Sequence, residues 1–440
     1  MNIVFISYEF LPAFMGGIGT YVHHASRMLT EAGHNVSVIC CGQSTDSSPV
    51  EGVDVYPVMC KQRTDFHYAA ANTLRDLLSI QTFDVLEVPD LYAEGLSALI
   101  AFPWLPSVMR LHTPVVVSSW VDQQCYPWIA VVLQSLRVGL AELKHGRFPR
   151  NALRIALGRL RPDVYYDPLL DLERQAALLA TVLVSPSQSL ARKVEKIWRI
   201  PFNSVHVSPN PSYQSSSRAE CSLLWPENCK VSCHDTTVNV LYFGGLKSFK
   251  GVDLLVRAIV PLLRQNPRLR LTLAGTASPS PLASLTISAF LQGNICQWRE
   301  MGEWLESKTA GVGASVTILP WQSRAEIEKL LDKSDLCVFP SRYDNFPGAC
   351  LEAMAAGKAI VATSSGGMAE MLRHGVDGWL VPPYSFLDLR VAIKRLTKDA
   401  QLRHRLGLAA KKRFMSCYSA EHILDTHVSF YERAIIAKKI

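Results

Sequence analysis

Two carboxylates, Asp344 and Glu352, stand eight positions apart in the segment PSRYDNFPGACLEAMAAGKAIVATSSGGMAEML, residues 340–372. The apolar run LCVFPS, which ends just before Asp344, predicts a buried parallel strand. The run ACLEAMAAG predicts a helix, and Gly357 is the type of residue that commonly ends one. The two acids therefore lie on either side of a strand-to-helix turn, Asp344 on the loop and Glu352 one turn inside the helix.

The turn itself is formed by Phe346, Pro347 and Gly348. The first backbone N–H groups of the following helix lack partners within the helix, and such a helix start binds phosphate readily. Asp344 and Glu352 can then hold sugar hydroxyls on either side of the phosphate, so the segment suits a nucleotide sugar. The alternative is a turn aspartate followed by a solvated helix face, because the spacing alone is common.

A glycine cluster follows the first apolar run of the chain, in SYEFLPAFMGGIGTYVHHASRMLTEAGH. Gly16, Gly17 and Gly19 open a predicted helix that ends at Gly33, and glycine lets a backbone approach a ligand closely. This helix start can receive a phosphate. The alternative is a tight strand-to-helix connection. The spacing differs from the dinucleotide-binding G-x-G-x-x-G, so a hydride-transfer enzyme is not supported.

A single histidine, His112, ends the predicted strand SVMRLH and begins the turn HTPVVV. Ligands of open α/β sheets bind outside the carboxyl ends of the strands, so His112 is predicted at a ligand-binding edge. The alternative is a structural histidine that only forms hydrogen bonds.

Short apolar runs alternate with helical patterns in both halves of the chain, which is the βαβ rhythm of doubly wound sheets. The predicted strands of the first half are NIVFIS, NVSVIC, VDVYPV, FDVLEV, SVMRLH, TVLVSPS and SVHVSPN. Those of the second half are VNVLYFG, RLTLAG, SVTILP, LCVFPS, AIVATSS and GWLVPP. The polar segment at 212–237 has no period and is predicted to be a linker or an inserted loop. The fold class is therefore α/β, with two Rossmann-like doubly wound domains at 1–211 and 238–416.

Length and composition agree with two well-packed domains, because 440 residues with 48% hydrophobic and 19% charged residues exceed one ordinary core. The first residues lack a basic leader, and no run of eighteen uncharged apolar residues occurs, so we expect a cytoplasmic protein. Eleven irregularly spaced cysteines favour reduced thiols. The nearest approach to a zinc pattern is Cys229, Cys233 and His234, beside Cys221, but it lacks a second ligand pair of the usual spacing.

The formal net charge of +7 lies in the C-terminal half, because residues 1–212 carry 17 Lys+Arg against 18 Asp+Glu. A local exception is 137–161, RVGLAELKHGRFPRNALRIALGRLR, with seven Lys or Arg and one acid among apolar residues at helical spacing. Such a stretch can lie on an anionic membrane surface, which would make the protein peripheral to the membrane. The alternative is a solvated helix face over a core stripe. Nucleic acid is not an expected partner, because stacking aromatics and a recognised binding fold are missing.

The segment 340–372, with its continuation RHGVDGWLVPP, resembles the donor-site signature of the retaining glycosyltransferases of family 4, which have the GT-B fold of two Rossmann-like domains facing across a cleft. The resemblance covers nearly the whole chain, densely over 238–415 and more thinly over 1–212. It implies that Glu352 holds the ribose of the donor and that Asp344 meets the transferred sugar. The family usually has Glu, one methylene longer, at the position of Asp344.

The segment VLYFGGLKSFKGVDLLVRAI also resembles this family, in the strand-loop-helix that grips the donor diphosphate. The resemblance implies that Lys250 contacts the leaving diphosphate. Gly245 stands where the family commonly has Arg. Lys247, two residues on, either compensates for the missing cation or is an ordinary surface lysine.

The resemblance extends to the first half and to the last segment of the chain. It implies that Gly17 and Gly19 bind the donor and that His112 contacts the donor sugar near the reacting carbon. It also implies that 417–440 contains a helix which returns to the first domain.

The implied reaction is retaining transfer of a sugar from a nucleoside diphosphate sugar to an unidentified hydroxyl acceptor, which is a glycan, a glycolipid or a small molecule. No Asp-x-Asp metal triplet occurs in the sequence, so we expect leaving-group charge to be stabilised without a metal or other cofactor. One alternative is a nucleotide-sugar-binding or scaffold protein of the same fold with weakened catalysis. Another is a different enzyme of this fold, such as an epimerase or a phosphorylase.

Overall fold

The computed structural model describes residues 1–10, 16–42, 48–125, 135–136, 143–144, 148, 168–213, 237–277 and 301–439. Almost all of the predicted linker at 212–237, with its cysteines, and most of the basic stretch at 137–161 lie outside the described residues. The described residues form two compact units. The first runs to Gln123, resumes at 168–212 and includes the C-terminal segment from Tyr418, and the second lies within Tyr213–Cys417.

The first unit contains an eight-stranded sheet in the order β3-β4-β2-β1-β5-β6-β7-β8, in which every pairing is parallel except that of β3 with β4. Its strands are β1 (Asn2–Ile6), β2 (Asn35–Cys41), β3 (Ser48–Val50), β4 (Val53–Val58), β5 (Val85–Pro89), β6 (Ser107–Arg110), β7 (Val182–Ser185) and β8 (Val205–Val207). Its helices before the second unit are α1 (Gly17–Glu31), α2 (Phe66–Leu78), α3 (Leu96–Ala101), α4 (Val115–Cys125), α5 (Pro168–Leu179) and α6 (Gln188–Trp198).

The second unit contains a six-stranded, fully parallel sheet in the order β11-β10-β9-β12-β13-β14. Its strands are β9 (Val238–Phe243), β10 (Leu269–Ala274), β11 (Val316–Leu319), β12 (Leu336–Phe339), β13 (Ala359–Thr363) and β14 (Trp379–Val381). Its helices are α7 (Val252–Gln265), α8 (Met301–Thr309), α9 (Arg324–Lys333), α10 (Gly348–Ala355), α11 (Met368–Met371), α12 (Phe386–Lys398) and α13 (Ala400–Cys417).

The last helix, α14 (Ala420–Lys439), belongs to the first unit, where it packs against α1 and against strands β5, β6 and β7. None of the described helices combines the length and the apolar character needed to cross a membrane.

All thirteen strands predicted from the sequence are present. Every residue of β5, β6, β12 and β13 is buried. Helices cover both faces of such a parallel sheet, so its strands have nearly continuous apolar sequences, which is why they could be predicted. The antiparallel strand β3 was not predicted. It has only three residues, one of them Pro49, and it lies at the sheet edge, where a missing N–H is tolerated.

The strand order of each sheet reverses once. In the first sheet the chain leaves β1 toward β2 and later resumes on the other side at β5, and in the second sheet the same reversal separates β9 from β12. The loops that follow such a pair of strands diverge and leave a crevice at the carboxyl edge, which is where open α/β sheets bind ligands. Two predicted site residues lie in loops of this kind, since Lys250 follows β9 and Asp344 follows β12.

Candidate active site

The loops after β9 and β12 meet at the switch point of the second sheet. Lys250 ends the short 3-10 turn Ser248–Lys250 after β9, and Asp344 lies on the loop after β12. Lys250 Nζ donates to Asp344 Oδ2 at 2.6 Å, and Ser341 Oγ donates to the same oxygen at 3.2 Å. The side chains remain partly exposed, Lys250 by 27% and Asp344 by 12%. The structure thus joins two predicted site residues in one ion pair that solvent can reach.

Two glycines, one on the loop after β9 and one on the loop after β13, allow their backbones to approach the segment that carries Asp344. Gly251 has a φ of +71°, and a Cβ there would lie 1.9 Å from the carbonyl oxygen of Pro340. Gly366 has a φ of +57°, and a Cβ there would lie 2.1 Å from the carbonyl oxygen of Asp344. Both positions therefore require glycine, and these backbone contacts fix the loop that carries Asp344.

A buried ion pair holds the same two loops together. Arg342 donates from Nη1 to Asp253 Oδ1 at 2.6 Å and from Nη2 to Asp253 Oδ2 at 2.7 Å. Its backbone N donates to Phe249 O at 2.7 Å, and its Nη1 also donates to Ser248 O. A bidentate pair of this kind is geometrically specific. Sequence reasoning missed it, although Arg342 stands two residues before Asp344 and Asp253 three residues after Lys250.

The predicted strand-to-helix turn is present in the structure. Helix α10 begins at Gly348, with Pro347 as its N-cap residue, and Phe346 before it is buried. Gly348 is exposed, and a Cβ at this position would meet no atom within 4 Å. The helix ends as predicted, because Gly357 has a φ of +66° and Lys358 N donates back to Ala353 O at 3.0 Å. The start of α10 therefore opens on free space a few residues beyond Asp344.

Glu352 lies in the second turn of α10 and is half-buried. Burial raises the pKa of its carboxyl to about 7, because a charged carboxylate there loses hydration. Arg324 of α9 acts in the opposite direction, and Glu328 adds to the increase. An acid with a pKa near neutrality at the ligand-binding edge of a sheet is a frequent feature of functional sites.

Lys247 packs against Gly245, the position at which the resembling family commonly has Arg. A Cβ at Gly245 would lie 3.5 Å from Cε of Lys247 and 3.6 Å from its Cδ and Cγ. The Lys247 side chain is exposed, and its Nζ lies 5.9 Å from the ring centroid of Phe249. Lys250 Nζ lies 5.4 Å from the same centroid. Two ammonium groups are therefore held near one phenyl ring at this edge.

In the first unit, the start of α1 holds an internal carboxylate. Glu9 Oε2 accepts a hydrogen bond from Gly19 N at 3.1 Å, and a Cβ at Gly16 would lie 2.5 Å from the same oxygen. A Cβ at Gly19 would lie 3.1 Å from Glu9 Cβ, so both glycines let the start of α1 pack closely against Glu9. Gly17 is exposed, with nothing within 4 Å of an added Cβ. Glu9 thus occupies the predicted phosphate position, and only Gly17 adjoins open space.

Glu9 belongs to a charged cluster that sequence reasoning missed. Arg63 Nη2 donates to Glu94 Oε1 at 2.7 Å, and its Nη1 donates to Glu9 Oε1 at 3.3 Å. The guanidinium lies 4.7 Å from the ring centroid of Tyr8 and 4.8 Å from that of Tyr92. Burial raises the pKa of the Glu94 carboxyl to about 7, although Arg63 acts in the opposite direction. The cluster joins the loops after β1, β4 and β5, and no local pattern signals it.

His112 lies two residues after β6, because the strand ends at Arg110 and not, as predicted, at the histidine. Its backbone N donates to Asp90 Oδ1 at 2.9 Å. Burial, together with the nearby guanidinium of Arg110, lowers the pKa of the imidazole to about 3. The ring is therefore neutral at physiological pH. It packs edge-on against the ring of Tyr21, with a centroid distance of 5.0 Å and an interplanar angle of 65°.

Within the described parts of the chain, no three His, Cys, Asp or Glu side chains are grouped as metal ligands would be. The pattern around Cys229 and His234 lies outside those parts. Six cysteines whose side chains the structure describes are free thiols, namely Cys40, Cys41, Cys60, Cys337, Cys350 and Cys417.

Two family models match the chain. Residues 16–211 match the glycosyl transferase 4-like domain, and residues 230–413 match the glycosyl transferases group 1 domain. The chain belongs to the GT-B glycosyltransferases of the family 4 type. The predicted family and the predicted fold class are therefore confirmed.

Several named proteins and solved structures are similar to this chain along almost their whole lengths. Glycogen synthase of Mycobacterium tuberculosis is 23% identical over 98% of this chain and 94% of its own. Sucrose-phosphate synthase of Thermosynechococcus elongatus has a TM-score of 0.69 at 16% identity, covering 99% of both chains. The catalytic domain of starch synthase IV of Arabidopsis thaliana, bound to ADP and acarbose, has a TM-score of 0.65 at 14% identity over 99% of both chains.

Proposed function

We propose that this glycosyltransferase moves a sugar from a nucleoside diphosphate sugar to a hydroxyl acceptor, with retention of configuration and without a metal ion or other cofactor. The observation that carries the proposal is the ion pair of Lys250 with Asp344, 2.6 Å long and partly exposed, at the switch point of the second sheet. The open start of α10 and the half-buried Glu352 follow on the same loop and helix. The ADP bound to the similar starch synthase supports a nucleotide in this domain type.

The donor is held by residues of the second domain, 238–416. The diphosphate lies at the start of α10, where Phe346, Pro347 and Gly348 present the backbone N–H groups of the first turn. Glu352 accepts hydrogen bonds from the ribose hydroxyls. Lys247 and Lys250, whose ammonium groups lie near Phe249, then place two positive charges beside the diphosphate.

Catalysis depends on Lys250, because the charge that develops on the departing diphosphate is stabilised by a cation already in place. Asp344 keeps that ammonium in position and also meets the transferred sugar. Lys247 supplies the second cation in place of the arginine absent at Gly245. The bond between the anomeric carbon and the phosphate oxygen breaks, and the acceptor oxygen bonds to the same face. The acceptor proton passes to the departing phosphate oxygen, so no protein base is required.

The first domain, 1–211, serves the acceptor, and the segment 417–440 completes it. His112, as a neutral imidazole, forms a hydrogen bond with the donor sugar, and the exposed backbone at Gly17 adjoins the donor, whereas Gly19 contributes by holding Glu9 at the start of α1. The basic stretch 137–161 brings this domain to an anionic membrane surface, where a glycolipid acceptor would be available. The protein would then be cytoplasmic and peripheral to the membrane.

A panel of nucleotide sugars tests the proposal, with thermal stabilisation and slow donor hydrolysis as the two measurements. We expect one donor both to raise the melting temperature and to be hydrolysed, and Lys250→Ala to lower hydrolysis about a hundredfold or more. Lys308→Ala is the matched control, because it removes an exposed lysine of the same unit on α8. Stabilisation without hydrolysis would favour the alternative, a nucleotide-sugar-binding protein with weakened catalysis. No response to any donor would refute both functions.

A further inference from the structure

The first unit contains a buried polar network built around Glu87, which stands in the middle of β5 and is 2% exposed. Tyr21 of α1 donates from its hydroxyl to Glu87 Oε1 at 2.5 Å, and Tyr431 of α14 donates to Oε2 at 2.5 Å. His427 Nε2 lies 3.5 Å from Oε2. A carboxylate removed from water needs such partners, since an unpaired charge would be costly. One buried acid therefore ties together a strand and two helices that are distant in sequence.

The two tyrosines make the same bond to Glu87, and both hydroxyls also lie near His427 Nε2, at 3.4 Å for Tyr21 and 3.0 Å for Tyr431, but their rings have different further neighbours. Tyr21 has the guanidinium of Arg110 over its ring, 4.9 Å from the centroid, and its ring meets that of His112 edge-on at 5.0 Å. Tyr431 packs edge-on against His427, with a centroid distance of 5.3 Å.

Arg110, 1% exposed, is itself fixed, because its Nη2 donates to the carbonyl oxygens of Ser208 at 2.6 Å and Pro209 at 2.9 Å. The ring of Tyr21 is thus held by Glu87 at its hydroxyl and by Arg110 on its face.

We propose that Tyr21 is a positioning residue for the imidazole of His112, and this inference rests on the proposed role of His112 at the donor sugar. The backbone of His112 is fixed separately by the bond to Asp90, so rotation of the ring is what Tyr21 restricts. Tyr21 is 2% exposed, so its burial leaves it out of reach of a substrate at the sheet edge. Its effect is on the orientation of a group that must lie close to the reacting carbon, where a shift of about 1 Å can cost about a hundredfold in rate.

The charged and titratable groups around the His112 ring are Arg110, Glu87 and Asp90. Burial and Arg110 keep the imidazole neutral, and Tyr21 is itself uncharged because burial raises the pKa of its hydroxyl, so Tyr21 acts on the orientation of the ring and not on its charge. Loosening Tyr21 should therefore lower the rate without moving the pH profile of donor hydrolysis between pH 6 and pH 8.

The two tyrosines supply a matched pair of variants, Tyr21→Phe and Tyr431→Phe, each of which removes one hydrogen bond to Glu87 and one hydroxyl contact with His427 Nε2. We expect both to lower the melting temperature by a similar amount. Tyr21→Phe should lower the kcat of donor hydrolysis about tenfold, with KM for the nucleotide sugar changed less than about twofold. Tyr431→Phe should leave kcat within about twofold. An equal loss of kcat in both variants would overturn the proposal, because the effect would then be general loosening of the unit.

A double-variant cycle separates positioning from structure. In a His112→Ala background, Tyr21→Phe should cause no further loss of kcat, because its effect passes through the missing ring. Multiplicative losses would overturn the proposal.

If the wild-type protein hydrolyses no donor, the proposed function fails, but the positioning is still measurable by NMR. The imidazole Cε1–H resonance of His112, assigned through His112→Ala, should shift or broaden in Tyr21→Phe and stay in place in Tyr431→Phe. An unchanged resonance in Tyr21→Phe would overturn the inference on its own.

Discussion

Replacing Glu352 by Gln should make the unliganded protein more stable and the donor complex weaker. Burial raises the pKa of the Glu352 carboxyl from 4.5 to about 7. Ionising this carboxyl is therefore less favourable in the folded state than in the unfolded state. Below pH 4.5 both states are protonated and the glutamate carries no penalty. Between pH 4.5 and pH 7 the unfolded state ionises first, and above pH 7 the penalty is constant.

The size of this penalty follows from the pKa change. At about 1.36 kcal/mol for each unit of pKa, this change in a fully buried carboxyl would lower the free energy of unfolding of the protein by about 3 kcal/mol at pH 8. Glu352 is only half-buried, so screening by solvent reduces the expected value to about 1–2 kcal/mol. For a unit of this size, the melting temperature of Glu352→Gln at pH 8 should exceed that of the wild type by about 2–8 °C. The two proteins should differ little near pH 4.5.

Thermal unfolding of the unliganded protein at both pH values is the measurement. Glu306→Gln is the control, because Glu306 is an exposed glutamate on α8 of the same unit. The donor complex should respond in the opposite direction if Glu352 holds the ribose as proposed, since the amide of Gln has one acceptor oxygen where the carboxylate has two. A loss of about 1–3 kcal/mol, or about 5- to 150-fold in Kd, is expected by titration calorimetry.

The two measurements refute different steps of the reasoning. If Glu352→Gln and the wild type unfold alike at pH 8, the carboxyl is not desolvated as the structure indicates. If the variant is stabilised but binds the nucleotide sugar with unchanged affinity, Glu352 is not the ribose ligand.

Three further predictions concern charge, metal and membrane. Lys250→Ala should lower turnover about a hundredfold or more, as loss of a transition-state charge contact does, and Lys247→Ala much less. Steady-state kinetics that show equal losses would mean that the two lysines share the diphosphate. Turnover should survive EDTA and convert an α-linked donor into an α-linked product, so an inverted anomer by NMR would contradict the retaining mechanism. Replacing Arg147, Arg150 and Arg154 by Ser should weaken sedimentation with anionic liposomes at low salt, with donor hydrolysis unchanged. Wild-type protein that ignores such liposomes would exclude the membrane proposal.

Local sequence signals determined much of the architecture. Thirteen strands could be read as short apolar runs, because a parallel strand covered by helices on both faces has no solvated side and shows no alternation. The end of α10 could be read from Gly357, because glycine adopts the left-handed conformation that a helix end requires. The short edge strand β3 gave no such signal, because three residues with a proline carry neither an apolar run nor an alternation.

The candidate site shows the same division. Its residue types were visible in sequence, since Asp344, the turn after it and Glu352 lie within one local segment. The contact of Lys250 with Asp344 spans 94 positions and arises only because the strand order of the second sheet reverses between β9 and β12. The link from Tyr431 to Glu87 spans 344 positions and depends on the packing of α14 on the first sheet.

Tertiary structure alone also decided the electrostatics of the site. The carboxylate of Glu9 at the start of α1, the raised pKa of Glu352 and the lowered pKa of His112 all depend on which groups exclude water from which others. Desolvation and pairing are properties of the packed chain. The sequence therefore determined which residues could perform the chemistry, and the fold determined their partners and their charge.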